Sequence, residues 1–183
     1  KKYGNSSLKV SSDTVITVPA SSDYDFGTND FTISAWLYCQ SAGHGDWGGF
    51  LSFTPYNNGS PSGYLHNIRC YQGTQELACS TSGGYIRTGH VMATNTWFHL
   101  AIVRESDNLK FYINGSLVHT HALAAGLDFV LGNEGKIQVG QSWHDYESIT
   151  GYGPHAWDGY IDDLCIQSGA KWTGNFTPPA SQL

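Results

Sequence analysis

Three short segments bring histidine, aspartate and an aromatic ring together: His44-Gly45-Asp46-Trp47, Trp143-His144-Asp145-Tyr146 and His155-Ala156-Trp157-Asp158. That combination has a chemistry. A flat aromatic face packs against the C–H surface of a sugar ring, and planar polar groups beside it take the hydroxyls. The first two segments are flanked by glycine and serine rather than by alternating strand residues. They therefore read as loops, and loops at the rim of a rigid scaffold are where binding groups are usually carried. Trp47, Trp143 and Tyr146 are the expected stacking faces, with His44, Asp46, His144 and Asp145 supplying hydrogen bonds. The competing reading is that these rings only pin long loops onto the body of the protein, and Trp157 fits that reading best.

Catalysis is not expected. A retaining glycosidase needs two carboxyl groups about 5 Å apart. Glu76, Glu105, Glu134 and Glu147 stand in no alternating pattern. Asp162 and Asp163 are adjacent, so on a regular strand they point to opposite faces and cannot face one reacting atom together. Tyr64 and His66 would share a strand face, with Arg69 pointing away. His99, between Phe98 and Leu100, reads as a hydrogen-bonded core histidine. His119 and His121 share a face at i, i+2, but no nearby cysteine or carboxylate completes a metal site.

The elements that would position these residues are strands. In Phe31-Thr32-Ile33-Ser34-Ala35-Trp36-Leu37-Tyr38 the side chains alternate. Phe31, Ile33, Ala35 and Leu37 make an apolar face, and Thr32, Ser34, Trp36 and Tyr38 a polar and aromatic one of the kind that lines a groove. Phe98 to Arg104 is a denser apolar run, hence a central strand. Asn114-Gly115 between Leu109–Ile113 and Leu117–Thr120 is a two-residue hairpin signal, because both residues tolerate positive φ. A β-branched residue at Gly115 is expected to cost roughly 1 kcal/mol or more. Phe31, Ile33, Leu100, Ile102, Phe111, Ile113 and Leu164 are the expected core. Thr177-Pro178-Pro179 reads as a chain leaving the fold.

Composition agrees. Glycine is abundant at 22 of 183 residues, aromatics reach 14%, and charged residues only 13%. That suits many short strands and tight turns in one domain spanning 1–183, not a helical bundle. The net charge is −6 with nine Lys plus Arg, which excludes a basic stripe for nucleic acid. No apolar run is long enough for a membrane helix. Of the four cysteines, Cys39 and Cys165 lie in strand-like runs and read as buried thiols. Cys70 and Cys79 flank a turn-rich stretch, and the sequence leaves open whether they pair across a hairpin. The start at Lys1-Lys2 points to a mature or excised piece of a longer polypeptide.

Three stretches carry a family resemblance. They are Tyr3–Leu8 through Val18-Pro19 to Asp30-Phe31-Thr32-Ile33; Thr96–Arg104 followed by Leu109–Gly115; and Gly159–Leu164 followed by Trp172–Pro179. In order and spacing the chain resembles the laminin G-like, concanavalin A-like jelly rolls. The resemblance implies an all-β, two-sheet antiparallel jelly-roll sandwich. Glucanases of that fold carry a Glu-x-Asp-x-x-Glu type strand, which is missing here. In glucanase-like relatives an Asp at the position of Asp162 helps hold a structural calcium, so any calcium is expected there. The other reading of Asp162 is a hydrogen-bonded strand residue, since Val10-Ser11-Ser12 stands where relatives often have Phe-Asp-Gly. No other cofactor is expected.

Fold does not fix activity. The function expected is a non-catalytic, carbohydrate-binding adhesion module of a phage virion protein, the ending Trp172–Pro179 resembling phage structural proteins. Its partner would be a cell-surface glycan or another virion protein, with oligomers plausible in a virion; an extracellular, secreted setting is the alternative. The rival functions are a ligand-free decoration or assembly domain and a polysaccharide-active enzyme.

Overall fold

The computed structural model describes residues 1–11, 15–41, 48–53, 65–71, 74–81, 84–125, 129–130, 137–142 and 155–181. In chain order the strands are β1 (Leu8–Val10), β2 (Ile16–Val18), β3 (Asp25–Gly27), β4 (Phe31–Ser41), β5 (Gly49–Phe53), β6 (Leu65–Tyr71), β7 (Glu76–Thr81) and β8 (Gly84–Val91). They continue as β9 (Trp97–Glu105), β10 (Asn108–Ile113), β11 (Ser116–Ala122), β12 (Phe129–Val130), β13 (Ile137–Val139), β14 (Gln141–Ser142), β15 (His155–Ala156) and β16 (Asp158–Ser168).

Fourteen of them form two sheets, and β3 and β12 pair with each other in a separate two-stranded ribbon. The first has the order β1-β16-β4-β9-β10-β11. The second is built on β2-β13-β5-β6-β7-β8, with the short β14 and β15 attached beside β5. The alternation read from the sequence sets which side chains meet between the sheets. Phe31, Ile33, Leu37, Leu100, Ile102 and Phe111 point inward from the first sheet and are sealed. Leu51, Leu65, Ile68, Cys70, Leu77, Cys79, Ile137 and Val139 join the same core from the second. This is the all-β antiparallel sandwich expected. The hairpin also forms as expected: Asn114 at φ 50° and Gly115 at φ 78° turn β10 into β11.

Three expectations fail, for connected reasons. First, Leu164 is only half-buried. The register of β16 against β4 slips between Asp162 and Cys165, with Asp163 at φ 49°. A bulge of this kind inserts one residue and breaks the alternation. It also removes the premise that Asp162 and Asp163 must face apart.

Second, the polar and aromatic face of β4 does not line an open groove. Thr32, Ser34 and Trp36 are buried, and only Tyr38 is half-exposed. Third, the C-terminal segment does not leave the fold. It lies across the outer face of the first sheet, where Ala170, Trp172 and Phe176 pack on Ala101, Val103 and Tyr112. Trp172 and Phe176 stack at 4.0 Å between ring centres. The strap is pinned by Phe176 N–H donating to Gly115 O at 2.9 Å, Leu117 N–H donating to Asn175 Oδ1 at 2.9 Å, and Tyr3 O–H donating to Pro179 O at 2.7 Å. These strap residues are partly buried, and the apolar area each covers stabilises the contact at roughly 25 cal/mol per Å².

Candidate functional site

Asp162 lies beneath the N-terminal segment. Its Oδ2 accepts from Lys2 N–H at 2.9 Å and Tyr3 N–H at 3.2 Å, and its Oδ1 accepts from Asp163 N–H at 3.0 Å. The bulge leaves Asp163 close enough that its charge, after burial, pushes the Tyr3 phenol up. Lys2 Nζ sits 3.9 Å from the Trp36 ring centre, and Tyr3 meets the same indole edge-on at 5.7 Å. Three backbone N–H groups take up the Asp162 oxygens, and among the described residues no group of three His, Cys, Asp or Glu side chains could hold a metal. The geometry fits the second reading of Asp162, a hydrogen-bonded anchor. Asp162→Ala is expected to lower urea-unfolding stability by about 1–3 kcal/mol, because it strands those donors. Chelator and added calcium should leave the wild-type melting temperature unchanged.

His99 is buried, as expected, but its ring is caged by aromatics rather than hydrogen-bonded. Trp36, Trp172 and Phe176 lie 5.2, 5.6 and 5.7 Å away between ring centres. Nδ1 finds no partner among the described residues. Trp157 is sealed against Phe50, in keeping with its packing role. His119 and His121 do share a face, with rings 6.4 Å apart.

The rim residues His44, Asp46, Trp47, Trp143, His144, Asp145 and Tyr146 lie outside the described residues, as does Tyr64. What the structure does bring together is the outward face of the second sheet. The backbone register aligns one cross-strand row: Gln138 on β13, Ser52 on β5, Asn67 on β6, Ser80 on β7 and Tyr85 on β8. Adjacent strands lie about 4.8 Å apart, so the row repeats a side chain at about that spacing across the sheet. The next row aligns Arg69, Ala78 and Arg87, and the one after it Tyr71 and Glu76. A bulge between Leu65 and Asn67 places Asn67 and Arg69 on this face.

At one end of the first row Tyr85 is 48% exposed. It is supported by the Arg69 guanidinium, 5.0 Å from its ring centre, and by Tyr71 edge-on at 5.6 Å. Arg87 lies 4.0 Å over the Tyr71 ring and donates to Glu76 Oε2 through Nε at 3.0 Å and Nη2 at 2.5 Å. Gly89 N–H donates to the other Glu76 oxygen. At the other end Ser52 Oγ, Asn67 Oδ1 and Gln138 Oε1 are buried and have no hydrogen-bond partner among the described residues. A buried polar atom left so costs about 1–3 kcal/mol, and three in one row form a set that enclosed water would satisfy.

The arrangement can bind; it is poorly made for glycoside hydrolysis. Glu76 is the one carboxylate on β5–β8 among the described residues, and Arg87 and Gly89 hold it. Sequence reasoning missed this face. Its signal was the polar alternation Asn67, Arg69, Tyr71.

A two-sheet sandwich with a polar and aromatic face on one sheet belongs with the jelly-roll binding folds. The chain is a member of the concanavalin A-like lectin/glucanases superfamily, whose pattern matches residues 10–171. It is similar to domain 4 of AbnA, a GH43 extracellular arabinanase from Geobacillus stearothermophilus solved with arabinotriose. That likeness is at 20% identity and TM-score 0.60, over 90% of this chain and 71% of that one. It is similar to the CBM40 of the Ruminococcus gnavus IT-sialidase at 13% identity and TM-score 0.59, over 88% and 93%. The mouse laminin α1 chain LG4-5 pair aligns at 12% identity and TM-score 0.57, over 96% of this chain and 47% of that one. At these identities the likeness establishes the fold. No curated protein matches the chain.

Proposed function

We propose that this chain is a non-catalytic carbohydrate-binding module and that its described binding face is the outward face of the second sheet. The observation that carries the proposal is the row from the exposed Tyr85 ring to the unpartnered oxygens of Asn67, Ser52 and Gln138. A sugar ring stacked on Tyr85 would lie at the open end of this row, beside Arg69 and Tyr71. Two neighbours of the same fold support the reading through their own ligands: the AbnA domain was solved with arabinotriose and the CBM40 with α2,3 sialyllactose. The rim set of Trp47, Trp143, Tyr146, His44, Asp46, His144 and Asp145 is the second half of the proposal. The wider setting we propose is a phage tail or decoration protein, or a secreted protein, on the resemblance of Trp172–Pro179.

The test is a glycan array followed by calorimetry on the best glycan. Tyr85→Ala should weaken binding roughly 10- to 100-fold, which is the loss of about 1–3 kcal/mol expected for one stacking ring. Trp47→Ala and Trp143→Ala should do the same if the rim contributes. Full-strength binding by the Tyr85 variant would remove this face from the site. An array with no ligand would favour a decoration domain, and new reducing ends or unsaturated products from laminarin, alginate or agar would make the chain an enzyme.

A further inference from the structure

All four cysteines are thiols in this structure, yet they are not equivalent. Cys39 points inward from β4 of the first sheet and Cys70 inward from β6 of the second, and each is 1% exposed. The two lie close enough across the core for Cys39, together with burial, to push the Cys70 thiol up. Cys79, whose pairing with Cys70 the sequence left open, is badly placed for it. The register sets Cys70 against Leu77 and Cys79 against Ile68, so the two are diagonal on adjacent strands. Diagonal positions stand about 7–8 Å apart, beyond the roughly 3.5–4.5 Å between Cβ atoms that a disulfide needs. Cys165 lies half-exposed on β16, with its thiol 3.5 Å from Gln167 Oε1. The two sheets thus turn one pair of buried thiols, Cys39 and Cys70, inward from opposite sides of the core.

We propose that Cys39 and Cys70 form a disulfide joining the two sheets when the chain folds in the presence of a disulfide oxidant. The co-reactant is a small-molecule disulfide such as oxidised glutathione. One protein thiolate attacks it, giving a mixed disulfide and releasing one glutathione thiolate. The second protein thiolate then displaces the other glutathione, so the protein loses two hydrogens and the oxidant is reduced to two thiols. Only the thiolate attacks. The neighbouring Cys39 and burial hold the Cys70 thiol well above its ordinary range. The bond therefore forms while the sheets are still open, and the closed protein oxidises slowly. It would tie β4 to β6, the strand that carries Asn67 and Arg69.

The experiment uses the whole chain, reduced and unfolded in urea, then refolded with reduced and oxidised glutathione or with reduced glutathione alone. Intact mass and peptide mapping without reductant read the result. The oxidised sample should be 2 Da lighter, with linked peptides containing Cys39 and Cys70. It should melt roughly 5–10 °C higher, as expected for closing a loop of about 30 residues. Cys39→Ala and Cys70→Ala should each lose the bond, and the Cys79→Ala, Cys165→Ala double variant should keep it. An unchanged mass, or linked peptides that map to Cys79 or Cys165, would overturn the proposal. The wild-type map decides the question even where a core variant does not fold.

Discussion

Gly115→Ala is expected to destabilise the chain by at least about 3 kcal/mol, in the tail of single-residue effects. Two costs combine. Gly115 sits at φ +78°, where an L side chain is strained by roughly 1–2 kcal/mol. A Cβ there would also stand 1.8 Å from Phe176 O and 2.8 Å from Phe176 C, both backbone atoms that cannot swing away. The added methyl must push the strap off the hairpin, breaking the Phe176 N–H bond to Gly115 O and loosening Trp172 and Phe176 over His99. Gly169→Ala is the control. It has φ +86° with nothing within 4 Å of the new Cβ, so it should show the backbone cost alone. Urea unfolding of both variants measures the difference. Equal losses would mean that the strap does not bear on the turn.

The second large effect is a dependence on pH centred on His99. Burial, and then the charge of Lys171, push its ring down to about 4 from the ordinary 6.5. Below pH 6.5 the unfolded chain takes up a proton that the folded ring refuses. Folding stability is therefore whole at neutral pH, falls as pH drops below 6.5, and continues to fall until the folded ring itself titrates near 4. By pH 5 the loss should be about 2 kcal/mol, and across the full window roughly 3 kcal/mol. His99→Gln has no such proton to refuse. Its stability should change less between pH 7 and pH 5, by about that amount, in parallel urea titrations. A variant with the same pH slope as the wild type would assign the effect elsewhere. Fluorescence from Trp36 and Trp172, which enclose the ring, should report acid loosening of the strap before the sandwich itself opens.

What the sequence determined by itself is local and periodic. Period-two alternation identified the inward residues of β4, β9 and β10, because a strand's geometry leaves each side chain one of two faces. Asn114-Gly115 specified its turn because few residue pairs tolerate two positive φ values. The stretches from Tyr3 to Pro179 pointed to the sandwich family for the same reason: strands, turns and their spacing are written along the chain. Tertiary structure decided what a single strand cannot encode. The bulges at Asp163 and between Leu65 and Asn67 each shift a face by one residue, and a one-residue slip moves every later side chain to the other side. That is why Asp162 and Asp163 need not face apart, and why Asn67 and Arg69 face away from the inward Leu65. Trp36 looked available on the groove-like face of β4 until Lys2 and Tyr3 covered its ring, and the aromatic cage of His99 is supplied by a strap more than sixty residues away, so burial on an outer face depends on distant segments. The row from Gln138 to Tyr85 is drawn from five strands between positions 52 and 138. Only the hydrogen-bonded register between those strands makes these residues neighbours, and only two opposed sheets turn the thiols of Cys39 and Cys70 inward from opposite sides of one core.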